Sequence, residues 1–78
     1  MTIRQFNSMN DEEQQLALRE AVLVADREDE DNTIYLFQLD NFYVEVYCHK
    51  RYPQFGKYVS FDTMEELEPY LENIKLEI

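Results

Sequence analysis

Between Thr33 and His49 the chain reads T-I-Y-L-F-Q-L, then D-N, then F-Y-V-E-V-Y-C-H: two runs rich in β-branched and aromatic residues, separated by two residues suited to a tight turn. This constrains the fold more than any other stretch, because two strands joined by two residues can only pair antiparallel. Asp40 and Asn41 both tolerate positive φ, which a type I′ turn demands at its two central positions. The turn sets the register: Leu39 opposite Phe42, Phe37 opposite Val44 and Tyr35 opposite Val46, which gives one apolar face. The other face then carries Ile34, Leu36, Gln38, Tyr43, Glu45, Tyr47 and His49. A slip of one residue would exchange the two sets.

The flanking elements follow from local signals. Met1 to Asn7 has no clear period and reads as a lead-in whose Ile3 and Phe6 dock onto the fold. Asn10 followed by Asp11, Glu12 and Glu13 is a helix N-cap with acids in the first turn, and Glu13 is placed for a capping box. The helix is predicted to continue through Gln14 to Glu20. Extending it over Ala21 to Ala25 would make its apolar arc too wide for a surface helix, so Val22 to Arg27 is predicted to be a strand. The acidic run Glu28 to Asn32 becomes the loop into the hairpin. Arg51 to Gly56 reads as a loop by its Pro and Gly, and Lys57 to Phe61 as a fourth strand. Asp62 with Glu65 predicts a second helix cap, and Met64, Leu67, Leu71 and Ile74 recur as a core-facing stripe. Pro69 inside it predicts a kink or two short helical segments. The I-K-L-E-I tail alternates with period two and is open to a short extra strand or a docked extended tail.

Charge narrows the partners. The net charge of −10 divides into −6 over residues 1–32, +1 over 33–61 and −5 over 62–78. So anionic a chain is repelled by phosphate backbones, which disfavours nucleic acid as a partner and fits a basic partner, or simple solubility, better. No apolar run nears the roughly 20 residues that span a bilayer, and no basic amphipathic stretch suggests an anionic membrane surface. With a single cysteine and no secretory signal pattern, the expected location is the cytoplasm.

Cys48 beside His49 suggests a nucleophile and base, but neighbours in a strand point to opposite faces. Cys48 shares the Phe42, Val44 and Val46 face and is expected to be a buried structural cysteine. The two serines, Ser8 and Ser60, lack a nucleophile-elbow motif. One Cys and one His give no zinc spacing, and one glycine gives no phosphate cradle. Counted from Asp29, a calcium loop would need Gly at its sixth position and Glu at its twelfth, where Ile34 and Asp40 stand. No cofactor, metal or enzymatic activity is therefore expected. Glu45, among tyrosines, is expected to lie exposed on an open sheet face. Glu45 and His49 share a face but stand roughly 13 Å apart along a strand, too far for direct proton transfer.

F-N-S-M-N-D-E-E-Q, L-F-Q-L-D-N-F-Y-V-E-V-Y and S-F-D-T-M-E-E-L-E-P-Y-L-E-N-I together resemble a family of short uncharacterised bacterial proteins, across nearly the whole chain. The resemblance implies a compact single domain and brings with it no activity and no catalytic residue. From the residues themselves the expected fold is a single α+β domain over 1–78: an N-terminal helix, a four-stranded antiparallel meander and a C-terminal helix, both helices on one sheet face. The other face, with Tyr43, Glu45, Tyr47, His49 and Tyr58, is the expected partner-binding surface, since tyrosine is enriched at interfaces. The leading expectation is a non-enzymatic protein-binding module or homodimer using that face. The alternative is an acidic inhibitor that mimics nucleic acid on a basic protein site.

Overall fold

The computed structural model describes residues 1–70, apart from the side chains of Phe55, Met64 and Glu66. Two helices, α1 (Ile3–Asn7) and α2 (Asp11–Leu18), precede four strands: β1 (Val22–Glu28), β2 (Asn32–Leu39), β3 (Phe42–His49) and β4 (Lys57–Phe61). Short 3₁₀ segments lie at Pro53–Phe55 and Met64–Tyr70. The strands form one antiparallel meander in the order β1-β2-β3-β4. The expected Leu71 and Ile74 positions of the closing stripe and the I-K-L-E-I tail lie outside the described residues.

Caps explain the helical ends. Asn10 accepts from the Glu13 amide, and the Glu13 side chain accepts from the Asn10 amide, a complete capping box. The lead-in differs from expectation. Thr2 and Gln5 form a second capping box and start the five-residue α1, which delivers the buried Phe6. Thr2-x-x-Gln5 is the missed signal. The helix was expected to run to Glu20 but ends at Leu18, with residues 19–21 turning into β1.

The hairpin register is as the alternation predicts, with Leu39 opposite Phe42, Phe37 opposite Val44 and Tyr35 opposite Val46. Its turn is not type I′: among the described residues only Asp40 takes a positive φ, 55°, whereas type I′ needs two. The Met1 ammonium lies 2.5 Å from the Asp40 carboxylate and ties the start of the chain to this turn. At the β1–β2 connection the acidic run is less a loop than a tight turn. Glu28 and Asn32 belong to the strands, and the Asp29 carboxylate accepts from the amides of Asp31 at 2.9 Å and Asn32 at 2.6 Å. Those bonds, that from Asn32 first, hold the Asp29 carboxyl below its ordinary pKa.

The two terminal layers were expected on one sheet face, but the closing 3₁₀ segment Met64–Tyr70 lies on the face opposite α1 and α2. Phe6 packs with Leu39, Phe42 and Val44, so α1 and the half-buried Ala17 and Leu18 of α2 cover the Phe42 face. Leu67 and Tyr70 pack with Ile34, Leu36 and Phe61, so the closing 3₁₀ segment covers the opposite face. The sheet is a middle layer with a core on each side. Its central strand β2 carries apolar residues on both faces, and a strand coated on one side only would leave Ile34 and Leu36 in water.

Gly56 precedes β4 at a close approach. A Cβ there would stand 3.0 Å from the Tyr47 carbonyl oxygen and 3.3 Å from that of Pro53. Its φ of −64° is open to any residue, so proximity to backbone, and not conformation, selects glycine. Gly56→Ala is expected to cost about 1–2 kcal/mol by overpacking. Urea denaturation measures this, and an unchanged midpoint with unchanged slope refutes it.

Candidate functional site

The residues expected to form an open tyrosine face are distributed quite differently. Register places Tyr43, Glu45 and Tyr47 on the same face as Ile34 and Leu36, and this is the face under Leu67 and Tyr70. Tyr43 stacks on Phe61 at 5.5 Å between ring centroids, and Tyr43 and Tyr47 are half-buried against the core. Glu45 is buried, at 7% exposure, which corrects the expected solvent-facing carboxylate. Tyr58 stands opposite Val46 and packs on the Phe42 side of the sheet, so it does not join the other tyrosines.

A charged carboxylate stays at such a depth only where it is paired and hydrogen-bonded. Arg27, from β1, donates through Nη2 to Glu45 Oε2 at 3.1 Å and to the Tyr47 hydroxyl at 3.2 Å. Tyr70 donates its hydroxyl to the same Glu45 oxygen at 2.5 Å. The guanidinium carbon lies 5.3 Å from the centre of the Tyr70 ring and 6.0 Å from that of Tyr47, and the Lys57 ammonium lies 4.7 Å from the centre of the Tyr47 ring. Desolvation lowers the Arg27 pKa, but hydrogen bonding with Tyr70 and Glu45 outweighs it and raises the value above normal. Burial, and then the bond to Glu45, push the Tyr70 phenol above its ordinary value. Arg27 Nε, also buried, has no acceptor among the described residues. The constellation is a clasp: β1 contributes Arg27, β3 contributes Glu45 and Tyr47, and the closing segment contributes Tyr70.

The clasp dictates an alkaline limb. Because the folded-state pKa of Tyr70 is raised, its contribution to stability is complete below the unfolded value of about 10 and is lost as pH rises towards the folded value. Between pH 10 and 11.5 the wild type should lose up to about 1.4 kcal/mol per pH unit more than Tyr70→Phe. Urea titrations at each pH test it; parallel slopes for the two proteins refute it.

Comparison with protein-family models, with curated proteins and with solved structures gives no match. Function therefore has to be read from the chemistry of the surface.

His49 and Cys48 lie at the far end of β3. The His49 Nδ1 accepts from the backbone amides of Arg51 at 3.1 Å and Tyr52 at 3.0 Å, so the ring organises the loop into β4. Cys48 is exposed, contrary to the expected buried thiol. The reason is sheet length: β4 pairs with β3 only as far as Tyr47, leaving Cys48 beyond the coated region. A cleft of about 710 Å³ opens beside it, bounded by Gln14 and Gln15 of α2 and by Gln54, Gly56 and Tyr58. No group of three or more His, Cys, Asp or Glu side chains among the described residues is placed to hold a metal ion. No described helix is long and apolar enough to cross a membrane.

What sequence reasoning left unassigned is the outer edge of β1. Val22, Leu23 and Val24 are 65%, 54% and 39% exposed, and Leu16 of α2 is exposed as well. Among the described residues the meander leaves its first strand at an edge. That was the available signal: an apolar tripeptide predicted as the first strand of a meander has its backbone groups unpaired on one side.

Proposed function

We propose that this chain is a non-enzymatic protein-binding module whose binding surface is the outer edge of β1. The observation that carries this reading is the run of three consecutive exposed apolar residues, Val22, Leu23 and Val24, on a strand that, among the described residues, lies at the sheet edge with one side unpaired. Exposed apolar residues normally occur singly, and natural edge strands are kept short, charged or covered. The register shift between Leu23 and Ala25 bends the strand at Val24 but leaves that residue exposed. The tyrosine row supports binding less directly, because Tyr43 and Tyr47 already pack beneath the closing segment. Glu45 has its Oε2 engaged by Arg27 and Tyr70, which favours a structural role for it over an acid–base one.

The triple variant Val22→Thr, Leu23→Thr, Val24→Thr keeps β propensity and removes the apolar surface. Its unfolding free energy is expected to stay within about 0.5 kcal/mol of wild type, as for surface substitutions generally. Cross-linking capture from the native cell, quantified for both proteins, should show partner recovery falling at least about tenfold, a change worth about 1.4 kcal/mol of binding. Undiminished recovery of the same partner by the variant moves the binding surface elsewhere.

A further inference from the structure

We infer that the segment accepted by the β1 edge is an extended strand with alternating apolar side chains and Lys or Arg at its ends, added as a fifth strand of the sheet. The inference rests on the binding surface proposed above and specifies its occupant. The mode follows from the backbone. Among the described residues β1 pairs with β2 on one side only, which leaves alternate N–H and C=O groups along the other side for a further ladder, and main-chain bonding supplies affinity independent of the partner's side chains. Val22, Leu23 and Val24 then provide apolar contacts for the incoming side chains.

The sign of the partner comes from the flanks. Residues 19–31 hold six acids and two bases, a net −4 around the apolar tripeptide. Glu20 lies at one end and Asp26, Glu28, Glu30 and Asp31 at the other, all exposed. Of the two bases, Arg27 is committed to Glu45 and Tyr47, so its charge is turned inward. Among the described residues one exposed acid of this group has a basic partner in reach, Glu28 with Lys50 at 3.5 Å. A second copy of this chain would set the same acids against each other, on a molecule already at −10. A basic-flanked strand meets opposite charge at both ends.

Two capped peptides test this, K-K-V-T-V-T-V-K-K and its charge-reversed counterpart E-E-V-T-V-T-V-E-E, titrated into the full chain with amide chemical shifts and hydrogen exchange as readouts. The basic peptide is expected to protect those amides of residues 22–28 that face away from β2, and to bind at least about tenfold tighter than the acidic one at low salt, the gap narrowing as salt shortens the screening length. Equal protection of β1 by both peptides overturns the charge inference while leaving the edge as a binding surface. Binding of neither, or binding of the basic peptide away from β1, overturns both. Protection of the same amides without peptide, rising with protein concentration, gives the edge to a second copy; concentration-independent protection gives it to this chain's own residues. Either of these also overturns the inference.

Discussion

Glu45→Ala is expected to destabilise the fold by about 2–3 kcal/mol, the loss that follows when one member of a buried ionic network is removed and the other is left without its partner, discounted for the partial exposure of Arg27. The substitution takes the shared acceptor from two donors at once: the buried Tyr70 hydroxyl loses its bond, and the Arg27 guanidinium loses its counter-ion and keeps its bond to the Tyr47 hydroxyl. Glu45→Gln keeps an oxygen for the Tyr70 hydroxyl and gives up the charge, so it should lose less. Arg27→Ala combined with Glu45→Ala should lose less than the sum of the two single variants, because neither ion then remains to be stranded. Urea unfolding of the four proteins completes the cycle. A loss under about 0.5 kcal/mol for Glu45→Ala, the level of an ordinary surface change, would show that the clasp does not hold the closing segment.

Phe42→Ala is expected to cost about 3–5 kcal/mol, the usual range for deleting a buried aromatic ring. Phe42 is 1% exposed, lies beside the Asp40-Asn41 turn and holds its ring 5.8 Å from that of Phe6, at 56°. The variant therefore loses hairpin packing and the anchor of α1 together. Set against the marginal stability of so short a chain, this should leave much of the protein unfolded at 37 °C. Thermal melting followed by circular dichroism measures it. A loss below about 1.5 kcal/mol would show that the α1 layer is loosely packed, because well-packed sites do not collapse around a missing ring so cheaply.

Those two substitutions probe opposite faces of β3, and the sequence was not equally informative about them. The Phe42 face was legible: alternation from Phe42 to Val46 and the two-residue turn assign it to a core, and Phe6 was correctly expected to dock. The Glu45 face was misjudged. Its tyrosines and its carboxylate suggested solvent, yet Ile34 and Leu36 on the neighbouring strand are fully buried there. The signal was present in β2, whose I-Y-L-F run has no polar alternate and so suits a strand covered on both sides. Cys48 was misjudged for another reason. Its face was right, but the coat stops short of it, because β4 pairs no further than Tyr47.

Periodicity and turn and cap residues act over a few positions along the chain. By itself, therefore, the sequence determined the four strands, the hairpin register, the start of α2 at Asn10 and the loop around Pro53 and Gly56. The tertiary structure alone decided on which side of the sheet Met64–Tyr70 lies, and with it whether the tyrosine row is surface or core. Nothing local fixes that choice, since the chain leaving β4 can turn towards either face. It is settled by burial and pairing between residues far apart in sequence: Leu67 on the Ile34 and Leu36 face, and Tyr70 and Arg27 on Glu45.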